Sequence, residues 1–346
     1  MNKQQREMNF LAMLGSPMLI AIALLWSVGL IGSGLWSLIE HSRMLSTRPK
    51  QNQIESFARV QDVPTGIFSY SGSAAWAAIR LKVDSAIQSE RPEFQLRYLQ
   101  PNNSSTNSNT AIRMLLDDRL SFVQSARPLY ELEYTQAQKR GFRVKQVPIA
   151  IDGIAVAVNP GLEIPSLTLD QLRSIYSGKI SNWKQLGGPD LKITAYSPPA
   201  SDSGTAEFFG ADILQSQAFG TNVKFIATTT LALRRLANDP GGIYYASAPE
   251  IVPQCSIKAL PLSRKPGEAI APYQEPLVNL AGCPARRNKV NTRAFQTGQY
   301  PITRYLYVVT KENGRLEEQA GIAYTNFLLT AQGQELIARA GFVRIR

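Results

Sequence analysis

A single histidine, His41, stands in 346 residues, which leaves no His pair for zinc and removes the commonest acid–base side chain from almost the whole chain. The two cysteines, Cys255 and Cys283, have neither CxxC nor Cys/His spacing, so no metal knot or thiol redox motif is present. GxxxxGK and HExxH patterns are also missing. No cofactor or metal is expected, and a serine-dependent hydrolase built on this chain would have to work without histidine. Acidic residues are the scarcer sign: 26 Asp and Glu face 37 Lys and Arg, a net charge of +11. Such a surface favours anions, whether phosphate-like ligands, anionic lipid or nucleic acid. The basic cluster Arg286, Arg287, Lys289 and Arg293 has no interleaved aromatics for base stacking, so it reads as a solvated loop and nucleic acid is not an expected partner. Contact with anionic lipid ranks above it. Hydrophobic residues at 44% and charged ones at 18% are ordinary globular usage, which excludes a largely disordered chain.

One long apolar run is present. Residues 18–39 (MLIAIALLWSVGLIGSGLWSLI) carry no charge, long enough as a helix to cross about 30 Å of hydrocarbon at about 1.5 Å per residue. Trp36 falls where an interfacial anchor would sit. A cleavable signal peptide would end at an AxA-like site, and SLIEHSRMLSTRPK offers none. The reading is an uncleaved signal anchor, with residues 1–17 on the cytoplasmic side, 40–62 as a tether and 63–346 as the folded part. Flanking charge does not orient it, because Lys3, Arg6 and the amino terminus balance Arg43, Arg48 and Lys50. Cys255 and Cys283 read either as two buried thiols or as a disulfide, the simpler reading since the segment between them is rich in Pro, Lys and Arg. A bridge would close a loop of about 29 residues, stabilise by roughly 3.5 kcal/mol and imply an oxidising compartment.

From Gly66 onward strand-like and helix-like segments alternate. GIFSYSG is followed by a helix over 74–88, the strand FQLRYL, the helix TAIRMLLDD and the strand SFVQSA. KQVPIAIDGIAVAVNP is a β-rich run, and LTLDQLRSIYSG is a short helix stopped by Gly178. KITAYS, the helices AEFFGADILQSQ and TTTLALRRLAND, and the strand GGIYYAS come next. The strand YLYVVTK and a single long helix over 316–340 finish the chain. The alternation predicts an α/β fold, a parallel-rich sheet in two lobes.

Three Ser/Gly/Thr segments each precede a helix: SGSAAW at 71–76, NSNTAI at 107–112 and SDSGTAEFF at 201–209. Helix N-termini present unpaired N–H groups and partial positive charge, and adjacent hydroxyls complete an oxyanion cradle without a metal. Singly, each is an N-cap. Their recurrence points to phosphate or sulfate.

The run VPIAIDGIAVAVNPGLEIPSLTLDQLRSIYSGKISNWKQLGGPDLKITAYS, then DSGTAEFF, GGIYYAS, YPITRYLYVVTK and NFLLTAQGQELIARAGFVRI, resembles the phosphate-binding proteins of the high-affinity phosphate ABC transporter. The resemblance covers about residues 64–346, in order. It implies a two-lobed periplasmic-binding-protein fold, type II-like, whose hinge lets the lobes close on one oxyanion. It also implies inorganic phosphate as ligand, ABC permease subunits as partners, a role without catalysis, and a folded domain on the periplasmic side of the inner membrane.

Residue by residue, the family's first ligand loop falls on Gly72, Ser73 and Ala74, where alanine replaces a usual hydroxyl. The second falls on Ser108, Asn109, Thr110 and Ala111, which keep hydroxyls and lose glycines. The family's Ser-Asp pair falls on Ser125 and Ala126, followed by Arg127; the missing aspartate is the acceptor that admits hydrogen phosphate and rejects sulfate. Ser203, Gly204 and Thr205 keep the last loop, without the arginine usually found before it. Arg127 is either a replacement cation or a surface or inter-lobe salt bridge. Asp202 is either a replacement acceptor or a helix cap, and Asp152 is assigned to the hinge rather than the ligand. These departures keep a second function open: a membrane-tethered anion sensor or scaffold with a degenerate pocket.

Overall fold

In this computed structural model, residues 55–100, 107–199 and 203–345 are described. The apolar segment 18–39, residues 1–17 and the tether up to residue 54 lie outside them. Among the described residues no helix is long and apolar enough to cross a membrane.

The first lobe opens with β1 (Gly66–Gly72), α1 (Ala77–Glu90), β2 (Phe94–Tyr98), α2 (Ser108–Leu116), β3 (Phe122–Ser125) and α3 (Glu131–Lys139). β4 (Arg143–Val158) leads into the second lobe. There β5 (Leu167–Thr168), α4 (Leu169–Tyr176), β6 (Thr194–Ser197), α5 (Gly204–Phe208), β7 (Val223–Phe225), α6 (Thr229–Ala237), β8 (Gly242–Ser247), α7 (Ala248–Ile251), β9 (Lys258–Leu260), β10 (Leu262–Ser263) and α8 (Thr292–Gln296) follow in order. β11 (Thr303–Glu312) returns to the first lobe, which α9 (Leu316–Leu329), α10 (Ala331–Arg339) and β12 (Val343–Arg344) complete.

The strands run in the order β2-β1-β3-β11-β4-β8-β6-β7. β1 is parallel to β2 and β3, and β6 is parallel to β7 and β8. β4 joins the halves: Arg143–Gly153 pair antiparallel with β11, and Ile154–Val158 pair antiparallel with β8. The uninterrupted apolar run Ile154–Val158 is fully buried, as a strand covered on both faces requires. Where β4 passes between lobes, Gly153 has no side chain because a Cβ there would lie 2.4 Å from the Phe295 ring. Each lobe has its own core, one around Tyr70, Trp76, Phe122 and Tyr324, the other around Tyr176, Trp183, Phe209 and Tyr245.

Three expectations change. The helix over 316–340 is two helices, because Thr330 takes an extended backbone (φ −64°, ψ 161°) and its Oγ1 accepts from the Gly333 N–H at 2.9 Å, an N-cap inside an apparently continuous pattern. AEFFGADILQSQ stays α-helical only over Gly204–Phe208, then widens into a π-turn at Phe209–Ile213, where Phe209 stacks on Tyr245 with centroids 3.7 Å apart. Packing of that ring sets the local backbone rather than propensity. The folded unit also begins before residue 63: Phe57 and Val60, assigned to the tether, are buried, and Phe57 lies edge-on to Phe327.

Candidate functional site

The loop after β1 is stitched to the end of β3. Ser73 N–H donates to the Gln124 carbonyl at 2.8 Å, and Trp76 Nε1 donates to the Ser125 carbonyl at 3.0 Å. Gly72 permits this approach, since a Cβ would sit 2.2 Å from the Gln124 oxygen. Ser73 Oγ accepts from the Ala75 N–H at 3.3 Å and caps the turn Ala74–Trp76. Asn107 caps α2 through its Oδ1, which accepts from the Thr110 N–H at 2.8 Å. Ser203 Oγ accepts from the Thr205 and Ala206 N–H groups and caps α5. All three Ser/Gly/Thr segments therefore start helical turns, as their composition predicts.

Tertiary structure brings them together. A Cβ built on Gly204 would lie 3.2 Å from Ser73 Oγ, 3.4 Å from Ser108 Oγ and 3.8 Å from Ala126 Cβ. The start of α5 in one lobe thus meets three loops of the other lobe. A cavity of about 300 Å³ opens beside this point, lined by Ser73, Ala74, Ser203, Gly204 and Thr205 together with Thr228, Thr229, Thr230, Tyr244 and Glu250.

Not every predicted residue faces it. Ser108 Oγ accepts from the Ala126 N–H at 3.0 Å, and Ser125 Oγ donates to the Arg127 carbonyl at 2.7 Å. Neither serine, nor Gly72 or Thr110, lines the cavity among the described residues. Asp202 lies outside the described residues. Arg127 is buried between two carboxylates: it donates to Glu133 at 2.7 and 3.0 Å, and its Nε lies 3.1 Å from Glu207 Oε1. Its guanidinium also covers the Tyr130 ring at 4.0 Å, and Tyr130 donates its hydroxyl to Glu207 at 3.1 Å. Since Glu207 belongs to α5, Arg127 makes an inter-lobe salt bridge, the second of the two roles open to it. It lines a separate cavity of about 280 Å³ with Tyr130, Glu207 and Tyr305.

Composition and motif reading passed over Arg304, the arginine of YPITR. It sits where β11 leaves the second lobe, in register with Asp152 on β4. Nε and Nη2 donate to Asp152 Oδ2 at 3.1 and 2.9 Å, Nη1 donates to the Gly204 carbonyl at 3.1 Å, and Nη2 donates to Thr205 Oγ1 at 2.9 Å. Asp152 also accepts from the Ser247 hydroxyl. Burial pushes the Asp152 carboxyl up, while Arg304 and Ser247 oppose that shift. Asp152 thus stands at the crossing strands, tied through Arg304 to the cavity wall rather than facing it.

A sequence profile described as a PBP superfamily domain matches residues 59–332. The chain belongs to the PBP superfamily. Among curated proteins, this PBP-superfamily chain is 25% identical over 216 residues to the phosphate-binding protein PstS of Staphylococcus epidermidis, covering 62% of this chain and 60% of that protein. The phosphate-binding protein PstS of Staphylococcus aureus strain USA300 is 26% identical over 227 residues, 65% of this chain and 63% of that protein. The chain therefore matches less than two thirds of the length of these relatives. Among solved structures, a putative phosphate ABC transporter substrate-binding protein with bound phosphate from Clostridium perfringens superposes with a TM-score of 0.65 at 22% identity, covering 81% of this chain and all (100%) of that one. An ABC-type phosphate transport receptor from Vibrio cholerae gives 0.62 at 20% identity, with 80% and 99% covered. At these identities the superpositions establish the two-lobed α/β fold. The disulfide is formed: Cys255 and Cys283 are bonded, with Cα atoms 5.7 Å apart.

Proposed function

We propose that this chain is an extracytoplasmic solute-binding protein that captures inorganic phosphate and delivers it to an ABC permease. The observation that carries the reading is the convergence of Ser73, Ala74, Ser203, Gly204 and Thr205 on one inter-lobe cavity, in a superfamily whose relatives include named phosphate-binding proteins. Helix-start N–H groups and hydroxyls hold the oxyanion there, with Gly72, Ser108, Thr110 and Ser125 setting the loops and Arg127 bridging the lobes through Glu207. Closure of the lobes strengthens each bond by excluding water. Arg304 holds the Gly204 carbonyl and Thr205 hydroxyl in place from behind. The apolar segment 18–39 anchors the chain in the inner membrane, and its folded domain faces the periplasm, consistent with a disulfide.

One observation favours the second reading, a tethered anion sensor or scaffold with a degenerate pocket. The Ser108 and Ser125 hydroxyls and the Arg127 guanidinium are engaged within the protein. Calorimetric titration of the full chain, stripped of ligand, decides between them. Micromolar or tighter phosphate binding that sulfate does not match is the expected result; a folded protein giving no phosphate heat sinks the capture reading.

A further inference from the structure

The cavity beside Gly204 contains a group that phosphate recognition does not use. Glu250 lines it together with Thr229 and Tyr244, whose hydroxyl oxygens are 3.3 Å apart. A carboxylate is an acceptor-only group with two oxygens, so it can receive a donor on a ligand in the cavity. Glu250 is exposed to solvent where it lines the cavity. No lysine or arginine lines the cavity among the described residues. The two nearby guanidinium groups are bound elsewhere, Arg304 to Asp152 and Arg127 to Glu133 and Glu207.

Methyl groups and proline rings make up much of the remaining wall, at Ala74, Ala75, Ala77, Pro198, Pro199 and Ala246. A bare phosphate makes no use of them. The volume of about 300 Å³ equals about ten waters at roughly 30 Å³ each, more than one tetrahedral anion fills. The site thus offers neutral donors for an oxyanion, apolar surface for a short alkyl chain, and an uncompensated carboxylate. An anion lacking its own cation meets repulsion from Glu250, whereas a ligand carrying one satisfies both charges.

We infer that this cavity takes a phosphate or phosphonate whose short alkyl substituent ends in an ammonium group, with Glu250 receiving the ammonium. The inference rests on the oxyanion-capture reading above and extends its ligand class. It is tested by calorimetry on the full chain with inorganic phosphate, ethyl phosphate and 2-aminoethyl phosphate. The amino ester is expected to bind about tenfold tighter than ethyl phosphate, the fold-change of one charge-assisted hydrogen bond. Glu250→Gln, which keeps the side chain's shape and removes its charge, should erase that gap by weakening the amino ester and tightening ethyl phosphate. Equal affinity of the two esters for the wild-type chain overturns the inference, and inorganic phosphate heat in the same experiment shows that the capture reading survives. A gap that persists in folded Glu250→Gln protein overturns the assignment to Glu250. Silence from all three ligands sinks the capture reading as well.

Discussion

Asp152→Asn is the substitution whose cost the structure defines best. The Asp152 and Arg304 side chains are 0% and 2% exposed, and two bonds of 3.1 and 2.9 Å join them. Removing the carboxylate charge leaves a guanidinium enclosed by the Gly204 carbonyl, Thr205 hydroxyl and protein interior. Breaking a buried pair from one side costs about 3–5 kcal/mol, because the surviving charge stays desolvated. Total stabilities of about 5–15 kcal/mol make that loss large but survivable. Urea unfolding at pH 7 measures it, with Trp76 and Trp183 as native reporters in the two lobes. The double variant Asp152→Asn/Arg304→Met removes both charges and should recover much of the loss, so the cycle gives a coupling of a few kcal/mol, about 2–3. Recovered stability should come without recovered function: with Arg304 gone, the start of α5 loses its two hydrogen bonds from that guanidinium and phosphate affinity falls about tenfold. A loss under about 1 kcal/mol for Asp152→Asn, the scale of a surface pair, or additive effects in the double variant, would refute the reasoning.

Gly204→Ala places a methyl 3.2 Å from Ser73 Oγ and 3.4 Å from Ser108 Oγ, so the Ser73 side chain must give way by a few tenths of an ångström while each lobe keeps its core. Ligand affinity should drop a few-fold with little change in urea midpoint, and an unchanged dissociation constant would show that these loops do not meet in the bound state. Asp84 accepts from the Tyr70 and Tyr324 hydroxyls, and burial raises its pKa from 3.8 to about 6. Because the folded value is the higher one, the native state holds the proton more tightly and stability falls as pH rises from about 4 to about 6, by roughly 3 kcal/mol. Urea midpoints across that range should show the slope in wild type and lose it in Asp84→Asn. Glu207→Gln weakens the inter-lobe contact with Arg127 and Tyr130; small-angle scattering of the ligand-free protein should show a larger radius of gyration, and identical profiles would count against a latch.

The α/β alternation was legible along the chain because strand and helix are written in local periodicity. GIFSYSG, SFVQSA and GGIYYAS are β1, β3 and β8 with small boundary shifts, and Gly178 does stop α4, at φ +82°. Local patterns misled where packing overrode them. Thr330 splits an apolar stretch through an N-cap three residues ahead of Gly333, a local signal masked by the continuous apolar pattern around it, and Phe209 stacks on Tyr245 where its helix widens. Phe57 carried too little context to stand out from a polar tether, although it completes the first core.

The candidate site divides the same way. Ser73 and Ser203 could be picked out because an N-cap is a short-range signal, a hydroxyl two or three residues ahead of the N–H it accepts from. Cys255 and Cys283 had only each other to bond with. What Arg127 touches depended on Glu207, a residue of the other lobe, and Arg304 found Asp152 across a distance of 152 positions in the chain. Glu250 joined the cavity because β8 carries α7 to the same wall as the start of α5. Sequence alone determined where helices begin and where hydroxyls gather, because those are properties of neighbouring residues. The fold decided which charges are neutralised and which face the ligand, since a charged side chain takes its partner from whatever distant segment is packed against it.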